Sequence, residues 1–243
     1  GKSQSQSGQA ACNDCSAGSY SATMGAASCE DCPAGYITAS GGLSQCTMCA
    51  AGTSAASGTA SCISCVPGKF ATEPVAECTD CAAGSYSAKS GLTVCDKCLG
   101  GTYSALGQHA CTQCEEGKYS LAASTECTKC AVGTYSSAGA QKCIQCAPGQ
   151  YAASEGSASC ADCPAGSYTS NAGFSECQPC SVGYYADTAG SKGCTACATG
   201  SFAAQNGTST CTKCATGKYA GVVGSAECTD CAKGKYANVL GAT

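Results

Sequence analysis

Arginine and tryptophan are absent from the 243 residues, and histidine occurs once, at His109. With no arginine, and twelve scattered lysines against sixteen acidic residues, the chain lacks the basic clusters that phosphate recognition uses, so nucleic acid is not an expected partner. A single histidine leaves no Cys-His or Ser-His pair to build on, so His109 reads as an exposed loop residue and no enzyme is expected. Tryptophan and arginine are also the residues that most often anchor protein–protein hot spots. No apolar run is long enough to span a bilayer and no signal peptide is visible, so no membrane insertion is expected within this stretch. Large aliphatic and phenylalanine side chains are scarce as well. Leu, Ile, Val and Phe number twenty, far below the roughly one-fifth of residues that a conventional core calls for.

What the chain has instead is cysteine and glycine, 28 and 32 residues respectively. Cysteine at this density marks a disulfide scaffold, and such crosslinks persist in an oxidising compartment, so an extracellular or cell-surface location is expected. All 28 cysteines fall in C-x-x-C pairs, opening at Cys12, Cys29, Cys46, Cys62, Cys78, Cys95, Cys111, Cys127, Cys143, Cys160, Cys177, Cys194, Cys211 and Cys228. The steps between pairs are 16 or 17 residues, which makes residues 1–243 one continuous repeat array. Three residues after each pair's second cysteine stands a glycine, from Gly18 to Gly234. Five residues after it stands an aromatic in twelve modules, with Ile37 and Ser54 as the exceptions. A second glycine, such as Gly25, Gly91 or Gly139, usually precedes the next pair by four residues, and Pro74 and Ala123 replace it in two modules.

Two glycines per module predict two chain reversals, so each module reads as a turn, a short strand carrying the aromatic, a second turn and a strand returning to the next cysteine. The predicted fold is small, disulfide-rich and mostly β or irregular: an elongated rod of about fourteen hairpin modules with no globular core and little or no helix. Helix is disfavoured because no 3.6-residue apolar stripe survives the punctuation by Cys and Gly. Stacked rings and disulfides are expected to form the core, with each module touching only the modules before and after it. The weakest point is expected between Cys49 and Cys78, where Ser54 lacks the ring and Pro74 lacks the turn glycine. Gly1-Lys2-Ser3 aligns with the G-x-[YF] of a module and Gly241-Ala242-Thr243 with Gly91-Leu92-Thr93, so the chain reads as a window onto a longer array.

The motif C-x2-G-x-[YF]-x7-8-C-x2-C, as in CAPGQYAASEGSASCADC from Cys146 to Cys163, resembles the cysteine-rich repeats of TNF-receptor-like and ephrin-receptor-like ectodomains. Such repeats also occur in long arrays in extracellular surface and filament proteins of protists. The resemblance covers the whole chain and implies a non-enzymatic extracellular repeat protein. Its uniform modules favour a structural role, as a disulfide-stapled, glycosylated rod that forms or decorates a filament and associates with itself or with neighbouring modules. The alternative is a receptor-type ectodomain or surface-antigen stalk that binds a protein partner.

Spacing alone leaves three disulfide registers open: within each pair, between like cysteines of adjacent pairs, or from the second cysteine of one pair to the first of the next. The first would strain a tight ring and the second would call for alternating linkers. The third closes every hairpin at its base, as the resemblance implies. It joins Cys15 to Cys29, Cys32 to Cys46, Cys49 to Cys62, Cys65 to Cys78, Cys81 to Cys95, Cys98 to Cys111 and Cys114 to Cys127. It continues with Cys130 to Cys143, Cys146 to Cys160, Cys163 to Cys177, Cys180 to Cys194, Cys197 to Cys211 and Cys214 to Cys228, leaving Cys12 and Cys231 for modules beyond the window. Paired C-x-x-C motifs also fit zinc, but zinc would couple pairs two by two and alternate the spacing, so neither metal nor cofactor is expected. The acids inside the pairs, Asp14, Asp31, Asp80, Asp162 and Asp230, share their slot with Lys97, Lys129 and Lys213 and read as a solvated face. Asn206-Gly207-Thr208 is the only N-x-[ST] sequon, which makes Asn206 the candidate N-glycan acceptor.

Overall fold

The computed structural model describes residues 1–9 and 11–243. They form two compact units, one of Gly1–Gln113 with Leu121–Cys127 and the other of Cys114–Ser120 with Thr128–Thr243. Each contains seven two-stranded antiparallel hairpins, and no helix occurs among the described residues.

In the first unit, Ser85–Tyr86 pairs with Asp96–Lys97, Tyr86 lying opposite Asp96. In the second, Thr134–Tyr135 pairs with Ile144–Gln145 in the same way. The first strand is the residue after the glycine together with the aromatic, as expected. The return strand lies one step further along than expected, in the two residues between the cysteines of the next pair. The hairpin therefore closes past the first cysteine, and the second cysteine completes it: Cys32 N–H donates to Gly18 O at 2.9 Å and Cys146 N–H to Gly133 O at 2.9 Å.

Burial places the expected disulfide cysteines in the core but not the expected rings. The second cysteine of the pairs from Cys15 to Cys214 is at most 1% exposed. Beside it lies the residue that follows the aromatic, always small: Thr38, Ser87, Ser104, Ser136 and Thr169 among the hydroxyls, Ala55, Ala71, Ala186, Ala203 and Ala220 among the alanines. The rings do not form an inner ladder. Tyr86, Tyr103, Tyr135, Tyr151 and Tyr185 are only half-buried. Successive side chains of a strand point to opposite faces, so a residue that turns the ring outward turns its small successor inward.

Contacts also reach further than nearest neighbours. A side chain at Gly18 would collide with the carbonyl of Gly58, one at Gly52 with that of Gly91, and one at Gly149 with that of Gly190. Each of these carbonyls belongs to the module two ahead. The first glycine is needed twice over, because its φ of +88° at Gly18 and +89° at Gly149 is left-handed backbone and because its bare Cα receives another chain segment.

Candidate functional site

The repeated chemistry of this chain is the junction between consecutive modules, held by backbone hydrogen bonds. The N–H of the first glycine donates to the carbonyl of the small buried residue one module on: Gly35 to Ala55 at 2.8 Å, Gly52 to Ala71 at 2.8 Å, Gly166 to Ala186 at 2.8 Å. The N–H of the turn glycine reaches back to the buried cysteine of the preceding module, as in Gly58 to Cys32 O at 3.0 Å and Gly156 to Cys130 O at 2.8 Å. Where the small residue carries a hydroxyl, the junction gains more bonds. Thr38 Oγ1 accepts from Gly18 N at 2.8 Å and donates to Ser19 O at 3.2 Å; Thr169 repeats this with Gly149 N at 2.8 Å and Gln150 O at 3.3 Å.

Two modules depart from this scheme at the turn. Ala123 holds φ +59° where its equivalents are glycine, and is the one described non-glycine residue with positive φ. It still donates to Cys98 O at 2.9 Å. Pro74 has no N–H to give the Cys49 carbonyl, so the junction there lacks the bond its neighbours make.

Each cysteine that the sequence singled out lies at the base of a hairpin. The structure joins Cys15 to Cys29, Cys32 to Cys46, Cys49 to Cys62, Cys65 to Cys78, Cys81 to Cys95 and Cys98 to Cys111. It likewise joins Cys130 to Cys143, Cys146 to Cys160, Cys163 to Cys177, Cys180 to Cys194, Cys197 to Cys211 and Cys214 to Cys228. Cys114 and Cys127 are disulfide-bonded too, and Cys12 and Cys231 are free. The partners' Cα atoms stand 5.6–5.8 Å apart, which suits a disulfide.

The charged slot inside the pairs faces solvent and pairs across the hairpin. Lys69 Nζ lies 2.9 Å from Asp80 Oδ1, Lys218 Nζ 2.6 Å from Asp230 Oδ1, and Lys2 Nζ 3.4 Å from Asp14 Oδ1. Exposed pairs of this kind contribute at most about 1 kcal/mol each. His109 is exposed, and among the described residues no three His, Cys, Asp or Glu side chains gather as metal ligands. Notches at the junctions are open to solvent, such as one of about 250 Å³ beside Ser54, Ile63, Val66 and Lys69. Asn206 is exposed, and its Oδ1 accepts the Val182 N–H of the preceding module at 3.0 Å.

Two features of this junction escaped the sequence reading. One is the small residue after the aromatic, which recurs without exception from Ser21 to Ala237 and could have been found by the same count that found the glycines. The other is the contact two modules ahead, for which the sequence holds no signal beyond the glycine itself.

Thirteen bridged hairpins, a left-handed glycine opening each and junction bonds that recur with few departures define the class: a disulfide-stapled tandem repeat protein. The family model described as tyrosine-protein kinase ephrin type A/B receptor-like matches residues 1–42, 133–173, 166–209 and 200–243, more than half of the chain, and the chain belongs to that family. Comparison with curated proteins gives no significant match. Family and disulfides together point to an extracellular or cell-surface repeat protein. Among the described residues no helix is long and apolar enough to cross a membrane.

Proposed function

We propose that this chain is a structural extracellular protein, a stretch of glycosylated repeats that forms or decorates a filament through self-association. One observation carries the reading: the same junction bonds recur from Gly18–Thr38 to Gly200–Ala220, and no module inserts a loop that would set it apart as a recognition site. Specific recognition draws on local divergence in loops and on aromatic or arginine anchors, whereas a spacing element gains from identical units. Asn206 is the acceptor proposed for N-linked sugar, being exposed in a turn.

The family description favours a second reading, a receptor-type ectodomain or surface stalk that engages a protein partner. Electron micrographs of the native material separate the two. Continuous fibres with a repeat that divides into modules are expected; isolated stalks ending in a distinct head would overturn the filament and leave the receptor reading.

A further inference from the structure

Asn206-Gly207 is the chain's only Asn-Gly sequence, the pair in which a backbone nitrogen most readily attacks the side chain before it, because glycine offers no steric shield. The reaction needs two things at once: an Asn206 side chain free to bring Cγ to the Gly207 nitrogen, and a Gly207 N–H free to give up its proton. The structure commits both to the preceding module. Asn206 Oδ1 accepts from Val182 N at 3.0 Å, and Gly207 N–H donates to Cys180 O at 2.8 Å. The carbonyl of Gly207 lies against the bare Cα of Gly166.

We infer that, in copies whose Asn206 carries no sugar, Asn206-Gly207 is a self-modification site held shut by module docking, which deamidates only when the junction between the Cys180–Cys194 and Cys197–Cys211 modules opens. On opening, the Gly207 nitrogen bonds to Asn206 Cγ and the Cγ–Nδ2 bond breaks. Ammonia leaves carrying the proton that the Gly207 nitrogen gave up. Water then opens the succinimide ring at one carbonyl or the other, giving aspartate or isoaspartate at position 206. Aspartate keeps an acceptor for Val182 N–H. Isoaspartate adds a methylene to the main chain next to the Gly207 carbonyl that lies on Gly166 and displaces that carbonyl, so an opening that ends in isoaspartate leaves a junction that cannot re-seat as before. The site thus converts transient opening into a permanent covalent record.

The test compares deamidation rates at position 206 by peptide mapping with isoaspartate detection, in the full chain made by a host that attaches no N-linked sugar. The reference is the free peptide AQNGTST. The folded array is expected to react at least about tenfold more slowly than the peptide, as for other groups reached by local opening. Val182→Pro removes the N–H that holds Oδ1 and is compatible with the backbone, since Pro67 and Pro148 fill the same slot in other modules. It should accelerate the reaction several-fold with every bridge intact. Cys197→Ser with Cys211→Ser, which frees the module, should bring the rate close to that of the peptide. A folded array that reacts as fast as the peptide would overturn the inference, and so would Val182→Pro and the double serine variant both reacting at the intact rate.

Discussion

The stretch from Cys49 to Cys78 and the stretch from Cys130 to Cys160 make the same two modules by different means. Both keep their bridges, Cys49–Cys62 with Cys65–Cys78 and Cys130–Cys143 with Cys146–Cys160. Both keep the glycine and the small buried residue: Gly52 with Ala55 and Gly68 with Ala71, Gly133 with Ser136 and Gly149 with Ala152. They differ on the outside. Ser54 stands opposite Ile63 where Tyr135 stands opposite Ile144, and Pro74 replaces a turn glycine where Gly156 donates to Cys130 O. Bridge, glycine and small residue therefore define the module, while ring and turn donor add increments to it.

The strongest way to break the comparison is reduction. Each bridge closes a loop of about 15 residues worth roughly 3 kcal/mol in the chain-entropy model, so a thiol reductant should unfold both stretches together while EDTA leaves both intact. Circular dichroism under each reagent checks this, and a spectrum lost in EDTA but kept in reductant would refute it.

Next in size is the glycine contact. Gly52→Ala and Gly149→Ala each place a methyl on a carbonyl two modules away and impose a positive φ on alanine, so each should cost about 3 kcal/mol. Equal losses by denaturant titration would show that the irregular stretch depends on this contact as much as the regular one.

Hydrogen exchange should separate the stretches more finely. The amides of Gly52 and Ala55 should exchange roughly fivefold faster than those of Gly133 and Ala152, matching one hydrogen bond of about 1 kcal/mol. Pro74→Gly should close most of that gap; uniform protection before the change would mean that the missing donor has no effect.

Ala123→Gly relieves the left-handed alanine found among the described residues and should stabilise the chain by about 0.5–1 kcal/mol, read as a raised unfolding midpoint. The smallest effect concerns Tyr20. Its Oη donates to Glu30 Oε2 at 3.2 Å, and this hydrogen bond together with the carboxylate charge holds the phenol above its ordinary pKa. Because the folded value is the raised one, the bond's contribution is complete below the unfolded-chain value and fades as pH rises through the folded one. Glu30→Gln should lower the absorbance-monitored ionisation midpoint of Tyr20.

Much of the fold was legible because cysteine and glycine do their work locally. A 16- or 17-residue step, a glycine needing positive φ and an aromatic on a two-residue strand each constrain a few neighbouring residues, and together they dictate the hairpin. The core was harder to read. Aromatics are the largest apolar groups available, so Tyr86 and Tyr135 drew the expectation of burial, while the strand's alternation assigns the inner face to Ser87 and Ser136. The junction was legible only in part, since a glycine announces that something approaches without saying what. Nothing in the letters around Gly52 names Gly91 as the segment that arrives.

That reach of two modules limits how such a chain can change length. First glycines from Gly18 to Gly200, among them Gly52, Gly84, Gly133 and Gly183, meet a backbone carbonyl two modules ahead, a group that any module offers at the same place. A duplication or loss of whole modules slides an equivalent carbonyl into the gap and leaves the lattice unaware of the edit. An insertion of a few residues does not, because it displaces the segment that must land on a bare Cα two units away. Length can therefore drift in steps of 16 or 17 residues and resists drifting by any smaller amount.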